Sequence, residues 1–186
     1  MVIADDQFVE GMVEAIRGLL IAYSNATSVQ AKNYFKRNLS NLWNELGNQG
    51  MQINSTRYSV DADIEFKQVK KQYPMILKNV NNLEDLYWNQ IHSGAKKGSD
   101  RYNALEEYKK RIFWEHGYTR GDFVREAISI HKNSNNEESD LKKLVKEHQI
   151  VWITTKENEK LNLHHKSKRK GSNWQKVYQQ LGIKLK

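Results

Sequence analysis

A mainly helical α+β fold is what this sequence predicts, with a small β-hairpin near residues 51–67 and a short strand near 149–153. Two observations carry that expectation. Through most of the chain, apolar residues recur at steps of three and four, the spacing of a helix that buries one face. In two places the pattern changes: Tyr58 to Phe66 alternates strictly, and Gln149-Ile150-Val151-Trp152-Ile153 is a run of β-branched and aromatic residues. Many helical segments and few strands give the α+β class.

Residues 4–23 make the first expected helix, with Phe8, Met12, Ala15, Ile16, Leu19 and Leu20 on one face. Ser24–Ser28 breaks it, and a second helix is expected from about Val29 to Leu46, burying Tyr34, Phe35, Leu39, Leu42, Trp43 and Leu46. Gly47 and Gly50 stop that helix. Between Met51 and Phe66 the period becomes two: Tyr58, Val60, Ala62, Ile64 and Phe66 face one side, and Ser59, Asp61, Asp63, Glu65 and Lys67 the other. Further helices are expected over about 83–92, from Asp100 to about His116 with Ile112 and Phe113 inward, and from Thr119 to about Ile130. A short helix begins at Ser139 or Asp140. Thr154 and Glu157 have capping-box spacing ahead of a helix starting at Thr155, and Trp174–Leu181 forms the last, closed by Gly182. The segment 93–99, Ser-Gly-Ala-Lys-Lys-Gly-Ser, reads as a linker. It divides the chain into 1–93 and a helical part, 99–186, with a basic end, unless the two run together as one continuous domain.

Composition excludes several chemistries. There is no cysteine, so disulfides, thiolate zinc sites and a Cys nucleophile are all ruled out. The sequence has no phosphate-binding glycine loop and no serine elbow, which argues against nucleotide hydrolysis and esterase chemistry. The N-terminus is acidic, without the shape of a signal peptide, and the longest apolar run, Leu19–Tyr23, is too short to span a bilayer. A cytoplasmic, intracellular protein with no membrane partner is the expectation, and no feature fixes an oligomeric state.

Charge points to a polyanion. The net charge is +8, and residues 160–186 hold eight Lys and Arg with no Asp or Glu, so the other 159 residues balance at 22 of each sign. A neutral body with one basic end suits phosphate contact, which relies on clustered Lys and Arg. Lys166, Lys168, Arg169, Lys170 and Lys176 are the expected contacts. Trp174, interleaved with them, is expected with Tyr178 to stack on bases. Nucleic acid, with DNA ahead of RNA, is the expected partner.

The helix after Thr154 concentrates reactive side chains. At helical spacing Asn158, Asn162, His165 and Arg169 share one face, with His164 alongside. All six histidines lie after residue 90, and imidazole serves as a general base near neutral pH or as a ligand for a divalent metal. The pattern Ile130-His131 with Asn135-Asn136, followed by Trp152-Ile153-Thr154-Thr155-Lys156-Glu157-Asn158 and a histidine-bearing helix, resembles the HNH endonucleases of phages and mobile introns. The resemblance covers the last third of the chain. It implies His131 as general base, Asn135 or Asn136 as its orienter, His164 and His165 as further site residues, and Asn158 with His164 or His165 as ligands of a divalent metal such as Mg²⁺ or Mn²⁺. Two departures stand out: Ile130 occupies the place of a metal ligand, and Glu138–His148 is an inserted helical segment.

The expected function is therefore nucleic-acid binding, with metal-dependent endonuclease activity of phage or mobile-element type as its enzymatic form. The alternative is a non-catalytic DNA- or RNA-binding regulatory or packaging factor. A third site, Asp61, Glu65 and Lys67, has the residue types of a metal-dependent nuclease strand. The outer face of a half-buried strand explains the same residues more simply.

Overall fold

The computed structural model describes residues 2–3, 5–45, 51–92, 94–165 and 173–186. The elements run β1 (Val2–Ile3), α1 (Asp6–Asn25), α2 (Val29–Glu45), β2 (Met51–Gln52), β3 (Arg57–Tyr58), α3 (Val60–Gln72), a 3-10 turn (Leu83–Asp85), α4 (Trp88–His92), α5 (Asp100–Arg111), β4 (Ile112–His116), α6 (Arg120–Asn133), α7 (Glu137–Lys146), β5 (Ile150–Thr154), α8 (Thr155–His164) and α9 (Trp174–Gln180). The fold is α+β and mainly helical, as the periodicity implies. Among the described residues, no helix is long and apolar enough to cross a membrane.

A mixed sheet of order β3-β5-β4 organises the molecule. Strand β5 is central, parallel to β3 (Arg57 opposite Val151, Tyr58 opposite Trp152) and antiparallel to β4 (Ile112 opposite Thr154 through to His116 opposite Ile150). All five residues of β5 are buried, as expected of an unbroken apolar strand covered on both faces. Its alternate side chains feed two cores. Ile150 and Trp152 pack with Phe66, Leu105 and Tyr108 beneath α3 and α5, while Val151 and Ile153 pack with Leu161, Trp174 and Tyr178 beneath α8 and α9. A third core holds α1, α2, α6 and α7 together through Ile16, Leu20, Leu39, Trp43, Phe123, Leu141 and Val145. Strand β1 pairs in parallel with β2.

Two sequence expectations are corrected here. The hairpin at 51–67 does not form: Met51–Gln52 pairs with β1, Arg57–Tyr58 pairs with β5, and Val60–Gln72 is helical. Ala62 and Phe66 satisfy both patterns, being an even number apart and also one helical turn apart. The helix wins because Val69 completes its buried stripe and because Ser59 caps it, the Ser59 Oγ accepting from the Ala62 amide at 3.0 Å. Ile64, placed inward by the alternation, is 50% exposed.

The helix expected to reach His116 ends at Arg111. Lys109, Lys110 and Arg111 sit in its last turn, where cations suit the helix dipole, and Ile112–His116 continues as β4 with alternate residues buried. Strands on both sides of residues 94–99 share one sheet, and two of the three cores draw residues from both sides.

Candidate nucleic-acid interface

Because β5 takes only one side of β4, the other edge of β4 is left to line a groove. The groove has a volume of about 750 Å³. Its floor is Phe113, Trp114, Glu115 and His116 of β4. One wall is α2, whose Arg37, Ser40, Asn41 and Asn44 are spaced three or four residues apart and so fall on one stripe. The first turn of α6 contributes Thr119, Arg120 and Gly121, α4 adds Trp88, and α8 adds Asn162.

Packing holds these parts in register. The Trp43 indole of α2 stacks on Phe123 of α6, with centroids 4.2 Å apart, and its Nε1–H donates to the Tyr118 carbonyl at 3.1 Å. Asn44 Oδ1 lies 3.3 Å from His116 Nε2, tying α2 to the end of β4. Thr119 caps α6 by accepting from the Asp122 amide at 3.1 Å. On the floor, Trp114 meets Trp152 edge to face at 5.1 Å, and Trp152 Nε1–H donates to the Leu86 carbonyl. Trp88 stacks one face on His92 at 3.5 Å.

The electrostatics are cationic at the rim. Arg37 and Arg120 are exposed, and neither has a carboxylate partner among the described residues. A second concavity shares Arg37, Ser40, Arg120 and Gly121 with the groove and adds Tyr23, Lys36 and Arg125. Lys36 lies over the Tyr23 ring, and Arg125 pairs with Asp122. Two connected hollows thus share one pair of arginines beside a helix N-terminus, where backbone N–H groups favour anions.

The residues expected from sequence lie elsewhere or behave differently. His131 lies in the last turn of α6, and its Nδ1 meets Glu137 Oε1 at 2.7 Å. A carboxylate from α7 therefore holds the ring in place of Asn135, which is exposed in the turn. His164 is exposed at the end of α8, and His165 is its C-cap. His131 and this histidine pair belong to different packing units: α6 sits on α1, α2 and α7, and α8 on β4 and β5. Asn158 is buried, with its Oδ1 unpartnered among the described residues. It stands seven residues before His165, roughly 10 Å along a helix axis rising about 1.5 Å per residue. Among the described residues, no group of three or more His, Asp or Glu side chains is placed to hold a metal.

Lys166, Lys168, Arg169 and Lys170 lie outside the described residues. Lys176 is exposed on α9, as phosphate contact requires. Trp174 and Tyr178 are buried, which corrects their expected role in base stacking: Trp174 packs edge to face against Tyr178 and covers Gly117. A Cβ at Gly117 would lie 2.8 Å from the Trp174 ring. Gly117→Ala is therefore expected to destabilise by about 1–3 kcal/mol through overpacking and to disturb the turn between His116 and Thr119. Urea unfolding checks this, and an unchanged midpoint would mean that the ring moves aside freely.

The acidic stretch also resolves. Asp63 accepts from both Lys67 and Lys186; burial pushes its carboxyl up, but the two lysine hydrogen bonds outweigh that and hold it below the usual range. Glu65 pairs with Arg111 at 3.0 Å. Lys67 is thus engaged by Asp63, and the Asp61–Glu65–Lys67 set is not assembled. The capping box at Thr154 forms as expected, and buried Glu157 does more than cap. Its carboxylate accepts from the Thr154 amide and hydroxyl and from the Ser59 hydroxyl, joining the starts of α8 and α3.

Compared with protein-family models, curated proteins and solved structures, the chain matches none. The groove residues Arg37, Asn41, Asn44, His116 and Arg120 were missed from sequence. The polar stripe 37, 40, 41, 44 was readable along the second helix. That it faces the outer edge of β4 depends on a contact 72 residues away.

Proposed function

We propose that this protein binds nucleic acid, with the backbone crossing the rim of the β4 groove. The observation that carries the reading is the pair Arg37 and Arg120, without carboxylate partners among the described residues, at the point where two hollows meet beside the start of α6. Asn162 brings α8 into the lining of the same groove, and in the sequence the basic cluster Lys166, Lys168, Arg169 and Lys170 begins four residues later. Phosphate contact needs charge and reach, and the two exposed arginines supply charge at the groove. The test is fluorescence anisotropy with labelled oligonucleotides over a salt series. Each phosphate contact adds about 0.7–0.9 to the slope of log K against log salt. Arg37→Ala with Arg120→Ala is expected to lower the slope by about 1–2, and alanine at the four basic cluster positions to lower it further. Salt-independent binding, or none at low salt, rejects the reading.

A second reading adds phosphodiester hydrolysis, and one observation favours it. His116, a buried imidazole held by Asn44, belongs to the floor of the groove that Glu115 and the two arginines also line. A general base beside phosphate-binding cations is what water attack on a phosphodiester uses. With supercoiled plasmid and Mg²⁺ or Mn²⁺, cleavage is expected to fall about 100-fold or more in His116→Ala and to persist in His131→Ala and His165→Ala. A wild-type protein that binds but never nicks supports the non-catalytic alternative.

A further inference from the structure

The groove is built for an unpaired nucleotide rather than for duplex. We infer that it takes single-stranded nucleic acid, phosphate at Arg37 and Arg120 and base against the half-buried Trp88; this rests on the nucleic-acid reading above. Size is the first argument. A cavity of about 750 Å³ has the dimensions of a single-ligand site, roughly 300–1,000 Å³, and admits no duplex. Duplex recognition instead uses an element that projects into a groove of the nucleic acid.

The lining is the second argument. Arg37 and Arg120 are exposed, while Trp88, Phe113 and the amide of Asn44 line the groove half-buried. Aromatic planes and amides are the groups that stack on splayed bases and bond their edges. Glu115 is the one carboxylate among the described lining residues.

The test compares one labelled oligonucleotide as DNA single strand, RNA single strand and DNA duplex, at fixed salt, with the full chain. Tighter binding of either single strand than of duplex, by about ten-fold, is expected, because stacked bases add to the phosphate contacts. Trp88→Ala should weaken single-strand binding at least ~5-fold and leave duplex binding unchanged. Trp88→Phe, which keeps an aromatic plane, should restore most of the loss, and circular dichroism should show all variants folded. Equal affinity for single strand and duplex, or a Trp88→Ala protein that binds single strands like wild type, overturns this inference while the binding reading stands. Failure of every oligonucleotide to bind overturns both.

Discussion

Trp43→Ala is expected to destabilise the protein by about 3–5 kcal/mol, the cost of emptying a large aromatic site in a close-packed core. Trp43 is fully buried. It stacks on Phe123, meets Tyr118 and His148 edge to face, and gives its Nε1–H to the Tyr118 carbonyl. Removal therefore loses packing and leaves the Tyr118 carbonyl without that donor. For a chain of this length, the melting temperature should drop by on the order of 10 °C. The same side chain sets α2 against α6, so the groove should loosen as well. Urea unfolding and oligonucleotide binding, both at low temperature, measure the two effects. A loss under 1 kcal/mol would mean that α1, α2, α6 and α7 collapse into the space, and that Trp43 is no keystone.

The second large effect is on acid stability. His148 is buried between Trp43 and His116, with neither ring nitrogen in hydrogen-bond geometry with a described partner. Burial pushes its pKa down to about 3, opposed by less from a backbone contact with Trp43. The folded state therefore holds this imidazole neutral, while the unfolded chain binds a proton near pH 6.5. Its contribution is fully present above pH 6.5 and is lost as pH falls from there toward 3. The slope approaches about 1.4 kcal/mol per pH unit, and the full loss is up to roughly 4–5 kcal/mol. Urea unfolding at pH 7.5, 6.5, 5.5 and 4.5 should show stability falling steeply in wild type and less so in His148→Leu. Identical slopes in the two proteins would exclude His148 as the cause. Asp63 adds a loss at lower pH, since its carboxyl titrates below its unfolded value, and the comparison of wild type with His148→Leu cancels that part.

Much of the helical framework was legible in the sequence. The extents of α1 and α2, the Thr119 and Thr154 caps and the β-branched run of β5 are local features, set by neighbours three or four residues away. The errors share one physical cause. At residues 60–66 and 112–116 the local pattern fits two structures, and a distant partner selects between them. Glu157, 98 residues from Ser59, supports the cap that makes α3 a helix. Strand β5 pairs with Ile112–His116 and draws them out of α5. Trp174 failed as a stacking residue because aromaticity is visible in a sequence and burial against Gly117 is not.

The sequence by itself determined the class of fold, most helix positions and the segregation of charge at residues 160–186, because composition and short-range periodicity need no tertiary partner. Only the tertiary structure brought Arg37 and Asn44 of α2 to the outer edge of β4 and the start of α6. The candidate site joins residues 37–44, 88, 113–121 and 162. A groove of that kind exists only when segments far apart in the chain pack together, and side-chain spacing along any one of them does not encode it.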